Sequence, residues 1–154
     1  MRVGFLGTTN GMTTKQYNAV SKYIMSLKPN SGFDFHHGQC IGADKQFHDI
    51  IYNNTMATII IHPPYEKKDV FEVKVNRRII FLPPKSYLIR NMEIVLASEF
   101  LISAPSGMKD IMKSDVWTAL KFAKSKMIDF IAILPNGVES KVNKKKRSIN
   151  DISL

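Results

Sequence analysis

Apolar residues in this chain gather in short continuous runs, and between the runs they recur at every third or fourth position. The runs at 2–6, 33–36, 57–62, 100–104 and 129–134 are rich in branched and aromatic residues and predict strands. The helical spacing covers 13–27 (Tyr17, Val20, Ile24, Leu27), 43–53 (Phe47, Ile50, Ile51) and 87–97. It returns in a segment that starts at Ser114 or Asp115, carries Val116, Leu120 and Ala123, and ends near Lys126. Lys28-Pro29-Asn30, Pro63-Pro64 and Pro135-Asn136-Gly137 supply the stops. Alternating strands and helices predict an α/β domain with a mostly parallel sheet, and the run at 57–62 fits a strand buried on both faces. The segment 65–85 breaks the pattern: it mixes charges with a short strand candidate at 78–81 and closes on Pro83-Pro84. A long charged connection of this kind in a compact domain is often a functional loop.

Two strand-to-helix corners stand out on that scaffold. After the first strand comes Gly7-Thr8-Thr9-Asn10-Gly11-Met12-Thr13, and after the second His36-His37-Gly38-Gln39-Cys40-Ile41-Gly42-Ala43-Asp44. Glycines let a backbone turn tightly and approach a ligand. The free N–H groups at a helix start favour an anion such as phosphate. Together the corners point to a nucleotide pocket on a Rossmann-like, doubly wound sheet flanked by helices on both faces.

The formal charge is +9, unevenly spread. Residues 65–90 hold seven bases against three acids, and residues 135–154 hold five against two. Such clustering attracts anions, small phosphates and nucleic acid alike. The expected domain is 1–137, followed by a basic, flexible tail at 138–154 that includes Lys144, Lys145, Lys146 and Arg147. No apolar run approaches the roughly 20 residues of a membrane span. The start of the chain lacks the layout of a secretory signal. One cysteine, Cys40, excludes an internal disulfide and fits a reducing, cytoplasmic setting. No metal site and no cofactor are expected, since the histidines are scattered.

Gly7, Thr8, Thr9 and Gly11 are read as a phosphate- or ribose-holding loop, against the plainer reading of a capped turn. Gly38, Gly42, Ala43 and Asp44 form the second binding corner, where Asp44 either accepts from ribose hydroxyls or caps the helix. His36 and His37 alternate faces, so at most one of them, His37, is assigned to the pocket. Cys40 is a nucleophile candidate or a small filler, and His62 rims the pocket or only ends its strand. Arg90, followed by Asn91, offers the planar fork that matches phosphate oxygens. Arg78 closes over the ligand or lies on a solvated face, and Glu93 pairs with Arg90 or serves as an acid/base. Trp117 falls on the apolar stripe of the last helix and is read as core.

These landmarks, with His62-Pro63-Pro64, Tyr87-Leu88-Ile89-Arg90-Asn91 and a strand ending in Pro105, resemble the SLOG superfamily. That group joins the Lonely-guy phosphoribohydrolases to the nucleotide-binding domain of DNA-processing protein A. The resemblance covers about residues 2–137 and implies a nucleotide site at the carboxyl ends of the strands, Pro105 included, and a homodimer. The Lonely-guy signature Pro-Gly-Gly-x-Gly-Thr-x-x-Glu is altered: Pro105-Ser106-Gly107 is followed by an insertion, then Asp115-Val116 where Gly-Thr belongs and Ala119 where the glutamate belongs. The leading expectation is therefore binding, by sensing or sequestering, of a phosphorylated nucleoside or an ADP-ribose-type signalling nucleotide. An N-glycosidase acting on nucleoside 5′-monophosphates, with Asp44, Glu93 or Asp115 standing in as the catalytic carboxylate, is the first alternative. Single-stranded DNA binding through the basic loop and tail is the second.

Overall fold

The computed structural model describes residues 1–108 and 114–142. Along the chain run β1 (Arg2–Gly7), α1 (Thr14–Ser26), β2 (Asp34–His37), α2 (Ala43–Asn54), β3 (Thr58–Ile61), β4 (Ile79–Phe81), α3 (Tyr87–Ala97), β5 (Phe100–Ala104), α4 (Asp115–Ser125), β6 (Asp129–Ile133) and β7 (Glu139–Val142). The strands form one sheet in the order β4-β3-β2-β1-β5-β6-β7, parallel throughout except for β7, which runs antiparallel to β6. The expected α/β architecture is observed. The sheet also continues past Gly137, because β7 pairs Glu139 with Ile133 and Val142 with Phe130. Residues 144–147, the basic cluster, lie outside the described residues.

Each face of the sheet has its own core. Val3, Phe5, Phe35, Ile59, Ile102 and Ile131 point towards α1 and α2, where they meet Val20, Ile24, Phe47, Ile50 and Ile51. Phe5 and Phe47 stack with ring centroids 4.3 Å apart. On the other face Leu6, Leu101 and Phe130 meet Ile94 and Val95 of α3 and Val116, Ala119, Leu120 and Ala123 of α4. Trp117 packs partly buried against this second cluster. Each fully buried Phe, Ile or Leu contributes about 1.5–3 kcal/mol by leaving water. Among the described residues no helix is long and apolar enough to cross a membrane.

The helix starts follow from short polar residues. Thr13 and Gln16 form a capping box on α1, Ser86 caps α3 through the Ile89 amide, and Ser114 caps α4 through the Trp117 amide. Gln16 is buried and also donates through Nε2 to the carbonyls of Pro105 (2.9 Å) and Ile133 (2.7 Å), tying α1 to the ends of β5 and β6. The chain builds outward from β1 through β2 and β3 to β4, then crosses back through α3 to β5 on the other side of β1. In open α/β sheets the crevice outside the carboxyl ends at such a reversal is where ligands bind.

Candidate functional site

A cavity of about 370 Å³ opens at that reversal. Its floor is Phe5 and Leu6 of β1, and one wall is the Gly7-Thr8-Thr9 turn. Arg90, Asn91 and Ile94 enter from α3, while Ser114, Asp115 and Val116 enter from the start of α4. Cys40 and Asp44 come from the second corner, and Glu66, Lys68 and Asp69 from the β3–β4 connection.

That connection is a strap across the second corner. The Ile41 amide donates to the Asp69 carbonyl (2.9 Å) and the Phe71 amide to the Gln39 carbonyl (3.2 Å), so Cys40 and Val70 pair antiparallel. Phe71 lies over His37 with ring centroids 5.7 Å apart, which anchors the strap in the core. Segment 65–85 therefore holds both the edge strand β4 and a wall of the cavity. Glu66, Lys68 and Asp69 were not singled out from the sequence, and Tyr87 stood there only as part of the 87–91 landmark. The signal available for the first three was the charge of a segment with no regular period.

The two glycine corners close chiefly on each other. The Thr8 carbonyl accepts from the amides of Gly11 (3.2 Å) and Ala43 (2.9 Å), and the Met12 amide donates to Gln46 Oε1 (2.7 Å). Gly42, at φ +81°, packs so tightly that a Cβ there would run into the Thr9 carbonyl. A Cβ on Gly38 would run into the Arg90 guanidinium. These glycines let backbone meet backbone and arginine, and neither lines the cavity.

Asp44 and Arg90 share the inner end. Asp44 Oδ2 accepts from the Cys40 amide at 3.1 Å, so the acid serves as an anchor for its own loop. Burial pushes its carboxyl up to about 6, against the opposing pull of Arg90 and of the Cys40 and Gly38 amides. Arg90 is only 5% exposed. Its Nη1 donates to the Gly38 carbonyl, both Nη groups reach Cys40 Sγ at 3.6 Å, and Tyr87 lies under the guanidinium carbon at 5.2 Å. The fork expected to face phosphate thus turns towards the protein, while Nε stays buried without a partner, as does the Thr8 hydroxyl. Burial raises the Cys40 thiol above its ordinary range, with Asp44 adding to the effect, which disfavours a thiolate nucleophile.

Of the sequence candidates, the structure brings Gly7, Thr8, Thr9, Asp44, Arg90 and Asn91 together around the cavity. Gly11, Gly38, Gly42 and Ala43 stand behind it as corner backbone, and Pro105 offers its carbonyl to Gln16. Arg78 donates to the carbonyls of Thr55 (2.7 Å) and Tyr52 (3.1 Å) and stacks on Tyr52, pinning the end of α2. Its expected reach over a ligand is replaced by this structural task. Glu93, the second catalytic candidate, faces His62 Nδ1 (3.7 Å) and Lys85 Nζ (3.9 Å) instead of the cavity.

The histidines form two buried pairs on opposite faces of the sheet. His37 Nδ1 accepts from the Gln39 amide (3.0 Å), so its Nε2 carries the proton given to His48 Nδ1 (2.9 Å). On the other face His36 Nδ1 meets His62 Nε2 at 2.9 Å, with Glu93 beyond. Burial lowers all four, and each neutral partner is needed by the next. His36 and His62 fall to about 4, and His37 goes well below its usual value. His37 and His62 therefore sit in buried pairs, not on the cavity wall, and the outer nitrogens of the second pair, His36 Nε2 and His62 Nδ1, have no hydrogen-bond partner. Among the described residues no three His, Cys, Asp or Glu side chains are grouped to hold a metal ion.

No family model matches the chain, and no curated protein matches it. Among solved structures it is similar to DNA processing protein A from Helicobacter pylori, whose structure is described for its unique single-stranded DNA binding mode. The likeness has a TM-score of 0.57 at 15% identity and covers 86% of this chain and 64% of that one. At that identity the likeness concerns the fold alone, and this chain resembles in fold about two thirds of the length of that protein.

Proposed function

We propose that the chain binds single-stranded nucleic acid and seats one nucleotide unit of the strand in the cavity at the carboxyl ends of β1 and β2. The observation that carries this reading is the cavity itself, about 370 Å³ in volume, at the reversal point of the sheet. Its mouth is edged by a strap on which Lys67 and Lys68 are exposed, in a segment that is net basic. A backbone phosphate needs such a rim, while a base and sugar need the enclosed space behind it. The fold likeness to a protein described as binding single-stranded DNA supports the same reading.

Fluorescence anisotropy with labelled single-stranded oligonucleotides tests it. Binding is expected at low salt, with log affinity falling by roughly 0.7 per phosphate contact for each unit of log salt. No binding at low ionic strength, or binding indifferent to salt, overturns it.

A second reading is favoured by the size of the cavity and the state of Asp44. A space for one nucleoside also suits a free nucleotide, held for sensing or sequestration, and a carboxyl at about 6 is poised for acid/base work on an N-glycosidic bond. Incubation with a panel of nucleoside 5′-monophosphates separates the cases. Release of free base supports hydrolysis, and retention of intact nucleotide supports sequestration.

A further inference from the structure

We propose that a second base of the bound strand lies in a recess on the far side of the strap, between α2 and residues 71–74, where it accepts a hydrogen bond from His48. This rests on the reading above that single-stranded nucleic acid is the partner, and it adds a point of contact outside the cavity.

The recess holds about 260 Å³, and His48, Tyr52, Phe71 and Val73 form its buried and half-buried floor. That is below the range of about 300–1,000 Å³ that encloses a drug-sized ligand, so it suits one ring system and not a whole nucleotide. The rings of His48 and Tyr52 lie nearly parallel with centroids 6.0 Å apart, and Phe71 stands edge-on to His48 at 5.3 Å. Tyr52 is steadied by groups that do not line the recess: Arg78 lies over its ring at 5.0 Å, and Asn76 Nδ2 donates to its hydroxyl at 3.1 Å. The formal charges on the rim cancel, because Lys45 is bound to Asp49 at 2.6 Å and Glu72 is matched by Lys74. A rim without net charge over a floor of rings selects a flat, neutral guest.

His48 supplies the polar contact. It is 6% exposed and lines the recess, and burial keeps its ring neutral. His37 Nδ1 accepts from the Gln39 amide, so His37 Nε2 donates to His48 Nδ1 and the remaining proton of His48 is on Nε2. The two nitrogens of an imidazole point apart, so with Nδ1 turned to the core, Nε2–H turns to the recess. It has no acceptor among the described residues, and it is not sealed off as His36 Nε2 is. A base carbonyl or ring nitrogen answers such a donor, whereas a phenyl side chain of a protein partner cannot. The recess and the cavity are neighbours. Asp69 lines the cavity and Phe71 the recess, two residues further along the strap and at most about 7 Å of chain away. A strand with one unit in the cavity therefore crosses the strap beside the exposed Lys67 and Lys68 and brings another base over the aromatic floor.

The test uses the full chain and short single-stranded oligonucleotides that carry iododeoxyuridine, which crosslinks to stacked rings under light. Irradiation should give adducts at Tyr52, His48 or Phe71, mapped by mass spectrometry, besides any in the cavity. In nitrogen NMR the oligonucleotide should shift His48 Nε2. Tyr52→Leu should weaken oligonucleotide binding by about five- to a hundredfold, while Tyr52→Phe, which keeps the ring, stays near the parent chain. If Tyr52→Leu does not fold, the crosslinks and the spectra of the parent chain decide. Oligonucleotide binding with adducts confined to the cavity and His48 unmoved overturns the second seat and leaves the proposed function standing. If N-acetyltyrosine amide shifts His48 and oligonucleotides do not, the recess belongs to a protein partner, which also overturns the second seat. If no oligonucleotide binds, both fall.

Discussion

Two sets of buried polar residues gather at the same end of the sheet and differ in what they face. The histidine layer is paired within itself: His37 meets His48 and His36 meets His62, each at 2.9 Å, and although His36 Nε2 and His62 Nδ1 are left without a hydrogen-bond partner, no histidine lines the cavity. The Asp44 and Arg90 wall is open, with both side chains engaged on one side and facing an empty space on the other. The histidines and Asp44 alike have shifted proton affinities, so a shift alone does not mark a site. An unanswered hydrogen-bonding group beside a cavity does, because its desolvation is compensated only when a guest arrives.

Breaking the open wall should produce the largest effect. Arg90→Ala leaves Asp44 buried without its cation and frees the Gly38 carbonyl, at an expected cost of about 3–5 kcal/mol in urea denaturation. A loss under about 1 kcal/mol would mean that the cavity, and not the fold, is what Arg90 serves.

Next comes the backbone behind the wall. Gly42→Ala forces a side chain into a left-handed residue already against the Thr9 carbonyl, and about 3 kcal/mol should be lost. A thermal midpoint like that of the parent chain would show that the two corners can part without harm.

The paired layer is probed by acid. All four histidines are depressed in the folded state, so the unfolded chain binds more protons as pH falls below 6.5, and stability declines from there towards about 4. Between pH 7 and pH 5 each histidine kept neutral should cost up to about 2 kcal/mol. His48→Gln, which preserves an acceptor for His37, should reduce the acid sensitivity. An unchanged slope would show that this pair titrates freely.

The smallest effect sharpens the contrast. Asp44 is raised, the opposite sign for a carboxyl, so between about 6 and 3.8 the folded chain binds the extra proton and gains stability as pH falls. Asp44→Asn should therefore steepen the acid loss by up to about 1.4 kcal/mol per pH unit between those values and raise stability at neutral pH, where the buried carboxylate is ionised. A shallower acid transition in this variant would contradict the assignment.

The elements were legible because each carries a local signature. The branched run ending in Ile59-Ile60-Ile61 could only be a buried strand, and Thr13 with Gln16 announces a helix start. β7 was missed because an edge strand can be polar, and the stretch Glu139-Ser140-Lys141-Val142 shows no apolar run. The corners could be located from their glycines, but not what those glycines approach: Gly38 accommodates an arginine 52 positions away. Likewise His37 and His48 lie 11 positions apart on different elements, and His36 and His62 lie 26 apart, so pattern alone left them as single residues. Of the cavity wall, the share from β1, α2 and α3 was readable, whereas Glu66, Lys68 and Asp69 depend on where the strap crosses.

That crossing carries an evolutionary consequence. The strap is fastened by its backbone pairing around Cys40 and Val70 and by the Phe71 ring, while its outward residues belong to no core layer. Side-chain exchanges between Tyr65 and Asp69 would redraw the entrance without touching either core cluster. Descendants of this scaffold are thus free to change their preferred guest by drift in five consecutive positions.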